Sequence, residues 1–370
     1  MFLNHHVHDF EDAPVRIILN MPMHETSTKS ARKITADGSP IFPLSSSHFG
    51  LSSLGLNQNE AYLWHYFDNF IAPRCVVNCD NNPYRQIILR IAASSPDGPV
   101  LQGILAVSAQ QMKALGHVKD TVRIWDHRNR ALELLRSYLF TYSEAEGNTN
   151  TKRMLAQEIM ASTLMMCFFE ILHDCSGSWK VHASFGKSFL RHELASGHTM
   201  LTDSKELYGF AAAYFTYHDA LASTAGTNPE MQGHNSSLFH LLNGEEPVLE
   251  NLSGCSRRQI ALLSEISDLA SEAPCHKETL ERSSSWDRKR DAIERKLHLM
   301  KDTSVPSSLN KLLSKSAKEE TLWLVPELKR LTCLLYFHAR VDKSNPSDLH
   351  MIRLTGKILE LLPHTAARER

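Results

Sequence analysis

An adjacent histidine and aspartate, His218-Asp219 within YFTYHDAL, form the pair best suited to chemistry. A neighbouring imidazole and carboxylate can supply two ligands to a divalent metal, which would activate water for attack on a phosphoester. That chemistry needs an earlier histidine and a later aspartate converging from other helices, and His182 and Asp268 would complete such a set. No spacing compels the four to meet, and twenty histidines supply chance candidates in number. A packed histidine beside its acid inside a helix bundle is therefore the preferred reading. His5, His6 and His8 form a short tract that can bind metal only loosely, without fixed geometry.

The seven cysteines, at 75, 79, 167, 175, 255, 275 and 333, are odd in number and dispersed, so they do not form a disulfide framework. A reducing compartment is favoured. Cys75 and Cys79 are separated by three residues with no third or fourth ligand nearby, and Cys275-His276 flanks Pro274 in a loop. No G-x-S-x-G, G-x-G-x-x-G or Walker run occurs. No catalytic, cofactor-binding or metal residue is therefore assigned, no cofactor is expected, and nothing argues for an enzyme. One set of residues could serve an apolar ligand: Met165, Met166, Phe168, Phe169, Trp179, Phe185, Phe189, Tyr214 and Phe215. Soft thioethers and flat rings between helices suit a small molecule, although ordinary core packing needs the same residues.

Forty basic and forty-one acidic side chains leave a formal charge of -1, so the chain lacks the overall positive footprint of a nucleic-acid binder. Arg288-Lys289-Arg290 and the separated Lys29, Arg32 and Lys33 read as solvated faces, and direct DNA affinity is expected to be weak. The N-terminal MFLNHHVHDF has no positive segment followed by an apolar run, so it is not a secretory signal. The apolar stretch Ile159 to Phe169 is shorter than the roughly 18 to 20 residues of a bilayer span. Gln157, Glu158 and Glu170 bracket it and mark a core helix.

These residues need elements to position them, and every strong periodicity is helical. Residues 1–56 show no sustained period and read as a disordered leader. From Glu60 to Gly116 three helices follow. Leu63, Tyr66, Phe67, Phe70 and Ile71 share one face before Pro73; Asn82 caps the second, with Pro83 at its first position. Asp97 is the candidate cap of the third, Val100, Leu101, Ile104, Leu105 and Ser108 face inward, and Gly116 ends it. Further helices are expected at Thr121 to Tyr142, Lys152 to His173, Ser178 to Ser196 and Ser204 to Ala225, then a loop from Gly226 to Gly254 with at most one short helix. They resume at Arg257 to Ser271, Trp286 to Met300, Thr321 to Arg340 and Ser347 to Leu362, with Pro326 a first-turn or kink residue. The expectation is an all-α, bundle-like fold of about ten helices over 57–363, with Trp179 buried against the apolar helix 154–172.

The blocks LWHYFDNFIAP (Leu63 to Pro73), NPYR (Asn82 to Arg85) and SPDGPVLQGILAVSAQQMKALG (Ser95 to Gly116) resemble the regulatory domain of fungal zinc-cluster transcription factors. The similar subgroup includes sterol-uptake and arginine-pathway regulators. Trp179, His182, Gly186 and Leu190 carry a weaker echo, and the run AAYFTYHDALASTA (Ala212 to Ala225) a stronger one, in the same order. The resemblance implies a nuclear regulator of RNA polymerase II transcription, with an apolar small-molecule effector, transcription machinery or self-association as partners and no membrane. The family's two C-x-x-C-x6-C clusters do not occur in this sequence, so DNA contact is expected from a segment absent here. The family's helices beyond ILELLP, Ile358 to Pro363, are likewise expected to be missing. Two alternatives stay open: a metal-dependent HD-type phosphohydrolase built on His218 and Asp219, and a helical adaptor with no ligand.

Overall fold

A computed structural model of the chain describes residues 54–117, 122–145, 149–174, 177–195, 202–225, 246–272, 280–300 and 318–366. The leader expected over 1–56 falls outside these residues except for 54–56. Twelve helices and no strand occur among the described residues, which meets the all-α expectation. Helix α1 runs through Gln58–Tyr66, a π-helical turn Phe67–Ile71 and Ala72–Arg74; α2 joins the π-helical turn Tyr84–Ile88 to Leu89–Ser94. They are followed by α3 Pro99–Ala114, α4 Val122–Glu144, α5 Thr149–His173, α6 Trp179–Ala195 and α7 Thr202–Ala225. The remainder are α8 Glu246–Ser253, α9 Arg257–Ser271, α10 Leu280–Leu299, α11 Lys318–Arg340 and α12 Leu349–Ala366.

The described residues divide into two compact units, one of 54–74 with Asn82–Leu207 and the other of Cys75–Asn81 with 208–366. In the first, α3 packs against α1, α2, α4 and α5, and α5 also packs against α4 and α6. Surrounded this way, α3 is buried on nearly every face, from Pro99 to Gln110 with Gln102 the exception. Gly103 permits the close crossing of α3 and α5, since a Cβ there would lie 2.8 Å from the Cβ of Met165. The apolar stretch of α5 is core: Ile159, Met160, Leu164, Met165, Met166 and Phe169 are all fully buried. Helix Asn150–His173 is long and apolar enough to cross a membrane, but 72% of its most apolar window is buried inside the protein.

The second unit is built on α9, α10 and α11, which pack on one another, with α12 against α11. Its interior holds a buried ion pair. The Arg330 guanidinium meets the Glu327 carboxylate through Nε and Nη2, each at 2.7 Å, and donates from Nη1 to the Leu297 carbonyl at 3.2 Å. Asn251 clamps the segment Cys75–Asn81. Its carbonyl accepts from the Val77 amide at 2.8 Å, its Oδ1 accepts from the Asn78 amide at 2.6 Å, and its Nδ2 donates to the carbonyls of Asn78 and Asn81.

Arg85 and Asn82, both in the NPYR motif, satisfy backbone groups that α1 leaves open. In the π-helical turn of α1 the Ala72 amide donates to the Phe67 carbonyl, five residues back. The next donor in that register would be Pro73, which has no N–H, so the Asp68 carbonyl is left over. Arg85 takes it: Nε and Nη2 donate to Asp68 O at 3.1 and 2.7 Å, and Nε also lies 2.8 Å from the Asp68 carboxylate. Asn82 performs the same service for Ala72, donating from Nδ2 to its carbonyl at 2.7 Å, while its Oδ1 caps α2 at the Tyr84 and Arg85 amides. Arg85→Ala is expected to cost about 2 kcal/mol, because a charge-assisted bond to an otherwise unsatisfied carbonyl is lost. Chemical denaturation would measure it, and Arg85→Lys, lacking the planar fork, should restore only part.

Several boundaries differ from the sequence expectation. The N-cap of α3 is Gly98, with Pro99 in its first turn, and Asp97 sits exposed in the preceding turn. Pro73 lies inside the last turn of α1, and Pro326 lies in the interior of α11, its carbonyl accepting from Gln259 Nε2 at 3.1 Å. Helix α10 begins at Leu280, ahead of Trp286. Gly116 closes α3 as expected, at φ 75 with the His117 amide bonded to the Met112 carbonyl at 2.9 Å.

Candidate functional site

Two interruptions of helical regularity shape a cavity in the first unit. The π-helical turn of α2 carries Ile87, and the short connection before Gly98 carries Ser95. With Arg90, Ile91 and Ser94 of α2, Tyr138 of α4, and Thr151, Met154, Leu155, Gln157 and Glu158 of α5, they enclose about 460 Å³ in the first unit. Ile87, Ile91, Met154 and Leu155 supply apolar wall, and Met154, 59% exposed, stands at the mouth.

Glu158 is the polar centre of this cavity. It is 6% exposed, yet its Oε2 has no hydrogen-bond partner. Burial pushes its carboxyl up to about 7, against the opposing pull of the Ser95 hydroxyl and the Val100 amide at the start of α3. Gly98 makes that approach possible, because a Cβ there would stand 2.8 Å from Ser95 Oγ and 2.9 Å from Glu158 Oε2. Ser95 Oγ in turn lies 3.5 Å from the Tyr138 hydroxyl. The one arginine on the wall, Arg90, is about half exposed and reaches toward Glu206 at 3.5 Å.

Glu170, the other carboxylate bracketing the apolar run, is equally buried but satisfied. Arg128 donates to its Oε1 from Nε at 2.9 Å and Nη2 at 2.7 Å, and Ser178 donates to its Oε2 at 2.9 Å. A second cavity, in the other unit, is lined by Arg290, Glu294, His338, Asp342 and His350 among others. Its polar groups are paired with one another: Arg290 with Asp342 at 2.8 Å and Glu294 at 2.9 Å, His338 with Asp342 at 2.7 Å. An incoming ligand would have to break these pairs, whereas Glu158 offers an unused acceptor.

The residues that stand out in the sequence are placed elsewhere. His218 and Asp219 lie on α7; burial lowers the His218 pKa to about 4, so the ring is neutral and its Nδ1–H donates to the Tyr214 carbonyl at 2.9 Å. The same imidazole stacks on the Tyr214 ring at 4.0 Å. His182 is half-buried on α6 and Asp268 exposed on α9; no group of three or more His, Cys, Asp or Glu side chains that could hold a metal occurs among the described residues. Cys75 and Cys79 belong to no such group. His5, His6, His8 and Cys275-His276 lie outside the described residues. In the basic cluster, Lys289 pairs with Glu272 at 2.7 Å and Arg290 with Asp342, which makes it an ion-paired helix face.

Of the methionine and aromatic set, Met165, Met166, Phe169, Trp179, Phe189, Tyr214 and Phe215 are buried, and Phe168 and Phe185 half-buried; none of the nine lines either cavity. The cavity of the first unit opens instead beside an earlier part of α5, at Met154 to Glu158. In the sequence Glu158 serves only as a bracket for the apolar run. The available signal is a carboxylate at the edge of a stretch otherwise destined for the core.

A family model for the fungal specific transcription factor domain matches residues 61–368. No curated protein and no solved structure matches the chain.

Proposed function

From the premise that the chain belongs to the fungal specific transcription factor domain family, we propose that it is a nuclear, non-catalytic regulator of RNA polymerase II transcription whose helices sense a small molecule. The family match carries the regulator reading, and the cavity beside Glu158 supports the sensing. An effector that binds one helix packing better than another shifts the population between them and changes the surface presented to the transcription machinery or to a second copy. Because α2, α4 and α5 all contribute to the cavity wall, occupancy bears on three helices of the first unit at once. DNA contact falls to residues outside the described helices, since Lys289 and Arg290 are held by acidic partners. The division of the chain into a leader over 1–56 and a regulatory domain over 57–363 is part of this proposal.

The test is to fuse the full chain to an unrelated DNA-binding module and measure transcription from a reporter carrying that module's site. A reproducible rise or fall relative to the module alone is expected. An unchanged reporter, with the fusion present in the nucleus at comparable level, would remove the regulator reading. The adaptor alternative would gain if the reporter responded while the cavity accepted no small molecule.

A further inference from the structure

We propose that the cavity between α2, α4 and α5 binds an amphiphilic amine, with the ammonium on Glu158 and the apolar body along Ile87, Ile91 and Leu155. This deepens the sensing reading above and rests on it for its biological meaning, although binding itself can be measured independently.

The geometry selects the head group. A buried carboxylate oxygen without a partner is costly, and a ligand that donates to it recovers that cost. Three acceptors lie on the same wall: Glu158 Oε2, Ser95 Oγ and the Tyr138 hydroxyl, the last two 3.5 Å apart. An ammonium presents three N–H donors and the compensating charge. An alcohol would offer one donor and no charge. A carboxylic acid would set a second negative group beside the first, and Arg90 is drawn toward Glu206 at 3.5 Å. The remaining wall is mostly aliphatic, and about 460 Å³ falls within the range of small-molecule pockets. Met154, exposed at the mouth, is a flexible side chain able to pack over a bound tail.

Protonation supplies a second signature. The groups around the carboxyl are the Ser95 hydroxyl, the Val100 amide, the Tyr138 hydroxyl, Thr151, Gln157 and, at the rim, Arg90. Glu158 itself titrates between pH 6 and 8. In the free protein its carboxyl sits at about 7, whereas a bound ammonium favours the ionised form. Amine binding should therefore tighten about tenfold from pH 6 to pH 8, the factor by which the ionised fraction of a group near 7 grows. A neutral alcohol should show no such rise.

The experiment is isothermal calorimetry on the full chain with n-decylamine, n-decanol and n-decanoate, each below its micellar concentration, at pH 6 and pH 8. The amine should bind most tightly and strengthen with pH. Glu158→Gln should weaken the amine at least tenfold at pH 8 and abolish its pH dependence, with little effect on decanol. Should Glu158→Gln fail to fold, Ile91→Phe narrows the cavity without touching the carboxyl and should weaken amine and alcohol together. Decanoate binding as tightly as decylamine, amine affinity unchanged in Glu158→Gln, or no amine binding by the unaltered chain would each overturn the proposal. If the amine binds as described but the tethered reporter is silent, the site stands and the regulator reading fails. If the reporter responds but no amine binds, the regulator reading stands and the site fails.

Discussion

Arg330→Ala is expected to destabilise the protein by about 3 to 5 kcal/mol, the range for removing one partner of a buried ion pair. Arg330 is 4% exposed and Glu327 7%, so neither water nor salt can take over the role of the missing guanidinium. The substitution would strand the Glu327 carboxylate and leave the Leu297 carbonyl without the donor now 3.2 Å away. Chemical denaturation, followed by a signal from the second unit, would measure the loss. The double variant Glu327→Leu with Arg330→Met should recover most of it, because exchanging a whole buried pair for apolar side chains removes the desolvation cost together with the attraction. A single-variant loss under about 1 kcal/mol would mean that the pair is hydrated.

Trp179→Ala should cost a comparable amount, about 3 to 5 kcal/mol, through a different mechanism. Trp179 opens α6 and is 6% exposed, on a helix that packs against α5. Its carbonyl accepts a bond from the Cys167 thiol at 3.6 Å, which ties the start of α6 to the middle of α5. Truncation removes a large apolar surface and opens a cavity beside side chains that cannot collapse, since the neighbouring residues of α5 are fully buried and already packed. Trp179→Phe should retain more than half of the stability lost on truncation, and the comparison separates lost volume from a general intolerance of the position.

What is legible in the chain is local. Asn82, Pro83 and Gly116 act at helix ends through their own backbone neighbours, and the periodicity of Arg257–Ser271 gives that helix its observed bounds. Asp97 misleads as a cap because a side-chain acceptor is the usual signal, whereas Pro99 sets that terminus. The start of α10 is hidden by the polar run ERSSSW, which has no apolar stripe to betray a helix. Glu158 is illegible as a binding group because its surroundings are made by Ser95, Gly98 and Tyr138, which arrive from distant parts of the chain. The methionines and aromatics of α5 and α6 are the converse case. The same residue types fill a core or line a pocket, and only packing tells them apart. The division into two units has no compositional mark, since it falls inside α7.

The Asn251 clamp can close only late in the synthesis of the chain. Its partner Asn78 lies 173 residues earlier, and the two exchange hydrogen bonds in both directions. At a synthesis rate of roughly 5 to 20 residues per second, the segment Cys75–Asn81 leaves the ribosome about 10 to 35 seconds before the asparagine that fixes it exists. Throughout that interval the helices on either side of the segment can pack with each other, while Val77 and Asn78 keep their amides in water. The second unit therefore completes itself with a strip of chain that was made first and has waited, solvated, while the intervening residues were made.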